Sequence, residues 1–435
     1  MMSLLGLLAG LVLLTVLAMR GVSLFIATPL CAIVVALCGG LPLLVGGAES
    51  ANALTSYMTG FSSFIASWFF MFLFGCIFGK LMEDSGAADS IARWILNTMG
   101  PRHAALAVVI ACIVLTYGGV SLFVVAFSVF PTALALFRAA NLPRRFIPAT
   151  LGFGSVTVTM TSAGSPEIQN WIPIKYLGTT PWAAWQASLA AAIVMLIVGQ
   201  LWLNWMIGRA KARGECFDAR EGDPMGGRSD LPNPALSLIP LIAVLAISFL
   251  LHERLGTAAL IVALSAGCLL TAAVGWRFLV KPGEALSMGS VGALIAIGNT
   301  AAVVGFGSVA KAVPGFALAV EWITHLPGHG VANAAFAVAA IAAMTGSASG
   351  GQAIALPILA PLYLGQGVDP AHLHRSVSLA SGTLDAMPHN GYVVTTIRAV
   401  CGETHRAAYF PMAALCVLIP LVGLAVAFAM FGLGF

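Results

Sequence analysis

Residues 379–391 read Leu-Ala-Ser-Gly-Thr-Leu-Asp-Ala-Met-Pro-His-Asn-Gly, a broken polar stretch set inside an apolar run. Ser381, Thr383, Asp385, His389 and Asn390 bring hydrogen-bonding or ionisable groups, while Gly382, Pro388 and Gly391 interrupt a helix. Around it the chain is 60% hydrophobic and 8% charged over 435 residues, against roughly 25% charged in a soluble domain. That composition makes the protein an all-α polytopic membrane protein without a large soluble domain. At membrane depth a freed backbone group has no water to bond, so such a break survives only inside protein or against a wet cavity. An ionisable residue there is a functional residue by default. The net charge of +4 lies in short loops and points to no nucleic-acid partner.

Apolar runs of the 17–25 residues needed to cross a bilayer fall near 3–19, 22–40, 61–79, 146–163 and 183–207, then 233–251, 257–276, 286–310, 375–396 and 407–432. The first has no basic residues before it and reads as a span, not a cleaved signal. Two apolar blocks, 104–137 and 331–365, are interrupted by small polar residues at 116–121 and 345–352. Arms of about a dozen residues are short for full spans, which predicts re-entrant hairpins ending at mid-membrane. Lys and Arg concentrate on the cytoplasmic side. With the charged linker 208–232 placed there, only Lys175, Arg254, Lys311 and Arg375 of the 20 basic residues fall outside, and both termini lie outside. The expected fold is therefore two inverted repeats, 1–207 and 233–435. Each has about five transmembrane helices plus one hairpin, with broken spans at 146–170 and 375–396. Paired interrupted helices in inverted halves point to a secondary transporter with its site near the midplane.

Four polar breaks then converge. The hairpin tips offer Gly119 and Ser121 in the first, and Ser347, Ser349, Gly350 and Gly351 in the second. Glycines admit close backbone approach, and helix starts after each tip present free N–H groups to an anion. In the first broken span, Ser162, Ser165, Gln169 and Asn170 can bind a polar ligand, and Glu167 follows Pro166 at a helix start. Asn390 belongs to the second break. Asp385 and His389, four apart, would share a helical face. They form either a buried ion pair that holds the break or, with Glu167, a proton-coupling group whose titration burial displaces. His325, His329, His372, His374 and His405 fall in predicted loops, and the HxH at 372–374 lacks a third metal ligand. The eight cysteines form no CxxC pair and read as small core residues. No phosphate-binding loop or cofactor motif is present, so uphill transport would draw on an ion gradient and needs no cofactor.

Four stretches carry a resemblance: Gly118–Pro131, Arg144–Gly154, Ser165–Ala184 and Leu384–Arg406. With the hydrophobic layout around them they are similar to the gluconate permease (GntP-type gluconate:proton symporter) family of the ion transporter superfamily. The resemblance implies inner-membrane uptake of a small hydroxy-carboxylate with protons, a homodimer, and an elevator-type movement of the hairpin-bearing domain. Departures from the family pattern at 162–165, Glu167 and Thr383 sit beside the expected site. They keep smaller acids such as 3-hydroxybutyrate or glycerate open beside gluconate. A sodium-coupled carboxylate transporter is the nearest alternative. A membrane-embedded enzyme with an Asp385/His389 acid–base pair is the alternative of another class, disfavoured because the polar groups are divided between two inverted halves.

Overall fold

The computed structural model describes residues 2–20, 22–44, 52–100, 103–220, 230–318, 330–388 and 390–434. Among these, seven helices are long and apolar enough to cross a membrane. In chain order the first half holds α1 (Met2–Met19), α2 (Leu24–Gly39), α3 (Ala53–Asp84), α4 (Ala87–Met99), and the hairpin α5 (Ala104–Tyr117) and α6 (Leu122–Ala139). It continues with α7 (Ile147–Gly152), which runs on as a π-helical stretch Phe153–Met160, then short α8 (Ile172–Leu177) and long α9 (Trp185–Ala212). The second half holds α10 (Pro234–Leu255), α11 (Ala258–Gly275), α12 (Pro282–Lys311), and the hairpin α13 (Gly330–Thr345) and α14 (Ala348–Gly365). There follow α15 (Pro370–Ser381), α16 (Gly391–Val394) with a π-helical continuation Thr395–Val400, and α17 (His405–Gly432). A similar order thus occurs twice: a helix pair, a long helix, a hairpin, a broken helix, a final long helix.

Helix starts follow local chemistry. The Asn52 side chain accepts from Thr55 N at 2.9 Å, and Asn233 Oδ1 caps α10 through Ala235 N at 2.9 Å with Pro234 at the first turn. Asp369 Oδ1 likewise accepts from Ala371 N and His372 N ahead of α15. Each satisfies N–H groups that a helix start otherwise leaves open.

The spine of the molecule is the antiparallel pair α3–α12. At 32 residues α3 is about 48 Å long at 1.5 Å per residue, more than the ~30 Å hydrocarbon core. Glycines let the two backbones close: Gly60 faces Ser308, Gly305 faces Tyr57 and Gly289 faces Ile77. Pairs α1–α2 and α10–α11 pack to the sides, and both hairpins fold back on themselves with the tips turned inward. Each tip turns at a glycine in the left-handed region, Gly119 (φ 94°) and Gly346 (φ 62°), a conformation that costs other residues ~1–2 kcal/mol.

Three placements differ from the sequence reading. The helix α4 was not foreseen. Ala88, Ile91, Ala92 and Ile95 form its buried stripe, and at 13 residues it is too short to register as a span. His372 and His374 lie on helix α15 and His405 opens α17, none of them in a loop, and His374 is fully buried, with Nδ1 2.6 Å from Thr179 Oγ1; His325 and His329 lie outside the described residues. Arg375 is not in an outer loop either, but fully buried on the same helix.

The linker is folded back at its beginning. Arg145 pairs with Glu215 (Nε–Oε2 2.6 Å), and Arg220 donates to Gly402 O at 2.6 Å and meets Glu403 at 2.9 Å. Glu403 also pairs with Arg144 at 3.0 Å, both side chains being almost completely buried. The segment before Arg220 therefore joins the foot of the first hairpin to the turn between α16 and α17. Residues 221–229 lie outside the described residues.

Candidate functional site

The first broken helix ends at Met160, and residues 161–171 cross the interior without regular α-helix. A buried guanidinium organises that crossing. Arg375 Nη1 donates to Thr161 O at 2.6 Å and to Asn170 Oδ1 at 3.0 Å. Its Nη2 donates to Pro181 O at 3.3 Å and Ala183 O at 3.0 Å, and Nε to Ala183 O at 3.1 Å. All five N–H donors of the fork are used, none on a carboxylate. The amide of Asn170 is equally committed: Nδ2 donates to Ser165 O and Pro181 O. Ser162 Oγ donates to Val158 O, and Ser165 Oγ accepts from Glu167 N. Ser162, Ser165 and Asn170, expected among the ligand groups, thus hold the break in shape and do not line the cavity beside it.

What the break presents to that cavity is Pro166 to Gln169. The Gln169 carbonyl is clamped by Gln352 Nε2 from α14 at 2.9 Å and by Ser378 Oγ from α15 at 3.3 Å. Its side-chain Oε1 is buried with no hydrogen-bond partner among the described residues. The second break, 382–390, is tied to the second hairpin tip. Asn390 Nδ2 donates to Gly346 O and its Oδ1 accepts from Val393 N, both at 3.0 Å, so one side chain caps α16 and fixes the tip. Ser347 caps α14 by accepting from Gly350 N at 3.1 Å. Gly350 and Gly351 are packing positions, turned to Val303 and Ala342 respectively.

The two tips and two breaks enclose one cavity of about 270 Å³, bounded on the far side by α3, α11 and α12. Of the sequence-derived residues it is lined by Gly119, Ser121, Glu167, Gln169, Ser347, Ser349, Asp385 and Asn390. Glu167, expected at a helix start after Pro166, faces the same space as Asp385. Asp385 is nearly buried, and its Oδ1 has no hydrogen-bond partner among the described residues. His389 lies outside the described residues. The sequence reading missed Asn299 and Thr300, which bring polar groups from α12 to the cavity. A lone Asn inside the apolar run 286–310 was the available signal. It also missed Gln352 and Arg375, which position the site without lining it.

The cavity can do three things chemically. It offers hydroxyl and amide donors from four separate segments. It sets two carboxyl groups beside whatever occupies it. It places these groups between the tips and breaks on one side and α3, α11 and α12 on the other. The profile of the GntP family permease matches residues 2–253. The chain belongs to the GntP permease family. This permease is 36% identical to uncharacterized transporter YxjC of Bacillus subtilis (strain 168), with 94% of each chain covered. It is 26% identical to the high-affinity gluconate transporter of Escherichia coli (strain K12), over 47% of this chain and 45% of that one. Among solved structures, the Alcanivorax borkumensis YdaH transporter, whose topology is described as unusual, aligns with a TM-score of 0.60 at 16% identity. That alignment covers 94% of this chain and 97% of the other, a likeness of fold. The protein is a multi-pass membrane transporter of this family.

Proposed function

We propose that this permease imports a small organic acid anion, a gluconate-like sugar acid or another hydroxy-carboxylate, together with protons. One observation carries the reading: the two hairpin tips and the two broken helices, distant in sequence, line a single cavity that holds both carboxyl groups, Glu167 and Asp385. Its volume lies near the low end of small-molecule sites, ~300–1,000 Å³, which suits a metabolite-sized acid. Ser121, Ser347, Ser349, Gln169 and Asn299 would bind hydroxyls and the carboxylate. An anion entering between two acids binds best when they carry protons, and that linkage is what a symporter requires. The kinship with a gluconate transporter supports the substrate class.

The recurring element order supports two inverted repeats about the α3–α12 spine. Alternating access would then move the hairpins and breaks as a body against that spine, elevator fashion, in a homodimer with both termini outside. In this reading Asp385, with Glu167 and His389, carries proton occupancy.

The test is uptake into proteoliposomes with an imposed inward proton gradient, using labelled gluconate, 3-hydroxybutyrate, glycerate, citrate and D-serine. Uphill accumulation of an acid that collapses with a protonophore is expected, and Asp385→Asn should abolish pH-driven accumulation while leaving substrate exchange. Accumulation that ignores protons but stops when choline replaces sodium would overturn the coupling and leave the carboxylate site standing.

A further inference from the structure

A second cavity of about 130 Å³ lies along the same α3–α12 groove, towards the N-terminal end of α3. Its walls are α3, α8, α12 and α14. It contains Lys175 and Lys311 together with the hydroxyls of Ser63, Ser67 and Ser308, and no carboxylate among the described residues lines it. Lys175 Nζ donates to Ser67 Oγ at 2.9 Å, which leaves two of its three N–H donors for a ligand. Trp68 forms part of the wall, its ring 6.0 Å from Lys175 Nζ.

The relation to the central cavity is defined by two helices that touch both. Ser347 and Ser349 of the α14 start line the central cavity, and Ile354 and Pro357 line the second. On α12, Val303 lines the first, and Ser308 and Lys311 the second. Five residues of helix rise about 7.5 Å, so the two spaces are a turn or two apart. What divides them is a tight seam: Gly307 lies against Ile354 and Gly350 against Val303, each too close to admit a further methyl group without a shift. The second cavity is on the side of the molecule away from the linker, whose contacts lie with α4 and the feet of α6 and α17.

We propose that this cavity is an antechamber for the transported carboxylate, in which Lys175 and Lys311 collect the anion before α14 parts from α12 and admits it to the central site. This rests on the reading of the protein as a carboxylate transporter. Two like charges with no acid between them focus a positive potential in a cleft, which raises the local concentration of anions. Exposed ammonium groups are strongly hydrated and bind weakly and reversibly, as an on-route site demands. Among the described residues that line the central cavity there is no lysine or arginine, whereas the second cavity carries two lysines.

The experiment uses the full chain in nanodiscs at low ionic strength. Tryptophan fluorescence and calorimetry follow titration with gluconate and 3-hydroxybutyrate, with sodium chloride at matched ionic strength as control. A saturable signal that Trp68→Phe removes is expected, weakened about tenfold in K175Q/K311Q and retained in K175R/K311R. In uptake assays K175Q/K311Q should raise KM by a similar factor without lowering the maximal rate, and the difference should shrink in high salt. Titrations with no component dependent on Lys175 and Lys311, or a signal chloride reproduces, overturn the antechamber. Transport with unaltered KM in K175Q/K311Q also overturns it and leaves the transport reading intact. A lysine-dependent signal without uptake of any acid upholds the anion site and refutes the transport reading.

Discussion

Replacing Arg375 by lysine should be as damaging as removing its charge altogether. The guanidinium is fully buried and spends five N–H donors on Thr161 O, Asn170 Oδ1, Pro181 O and, twice, Ala183 O. An ammonium has three donors and no planar fork, so R375K loses at least two charge-assisted bonds, ~1.5–3 kcal/mol each or about 3–6 kcal/mol together. The desolvated charge remains. R375M orphans Thr161 O, Ala183 O and Asn170 Oδ1 at ~1–3 kcal/mol apiece, offset by removal of a charge that was costly to bury. The two variants should therefore fall within about 2 kcal/mol of each other. Unfolding by sodium dodecyl sulfate in mixed micelles, followed by tryptophan fluorescence, measures the difference. Both variants should also lose uptake, because Thr161 and Asn170 bracket the segment that presents Glu167 and Gln169. If R375K unfolds within about 1 kcal/mol of the wild type, charge and not fork geometry holds the break, and the reasoning fails.

Asn390→Asp keeps an acceptor for Val393 N but loses the donor to Gly346 O, so uptake should fall by about tenfold or more, as in Asn390→Ala, with the cap loss of ~1 kcal/mol confined to the alanine variant. Wild-type initial rates for N390D would show that the tie to the hairpin tip is dispensable. Glu403→Gln strands the nearly buried Arg144 and should cost about 3–5 kcal/mol in the same unfolding assay. R144Q/E403Q should recover part of that loss, and a double variant less stable than either single would contradict the pairing.

The breaks and tips were legible because clustered glycine, proline and serine interrupt a helix at a depth where freed backbone groups find no water. Short motifs such as Asn233-Pro234 and Asp369-Pro370 announce helix starts through a cap and a preset first turn. Which polar groups face the ligand was not legible. Ser165, Asn170 and Asn390 carry the same donors as Ser121 and Gln169, but folding spends theirs wholly or partly on carbonyls and amides nearby, and spacing cannot show which bonds are already made. Arg375 was hidden for a related reason. A charge beside a predicted span is normally a topological signal, and the acceptors that let this one be buried come from residues 161–183, some two hundred positions away. Asn299 sits singly in an apolar run, where one amide is a weak signal until the fold sets it beside three other segments, and nothing in the polar interruption 345–352 shows that Gln352 reaches across to Gln169 O.

The linker, held to the body at Glu215 and Arg220 and at its far end by Ser90 Oγ on Pro232 O, sets a mechanical ceiling. Eleven residues lie between Arg220 and Pro232, and the twelve steps of chain joining them reach at most about 40 Å when fully drawn out. Any excursion of the turn bearing Gly402 and Glu403 away from α4 must fit within that length while those contacts persist. Each residue removed would shorten the reach by about 3.5 Å, so the covalent chain itself measures how far one part of the transporter can travel past the other.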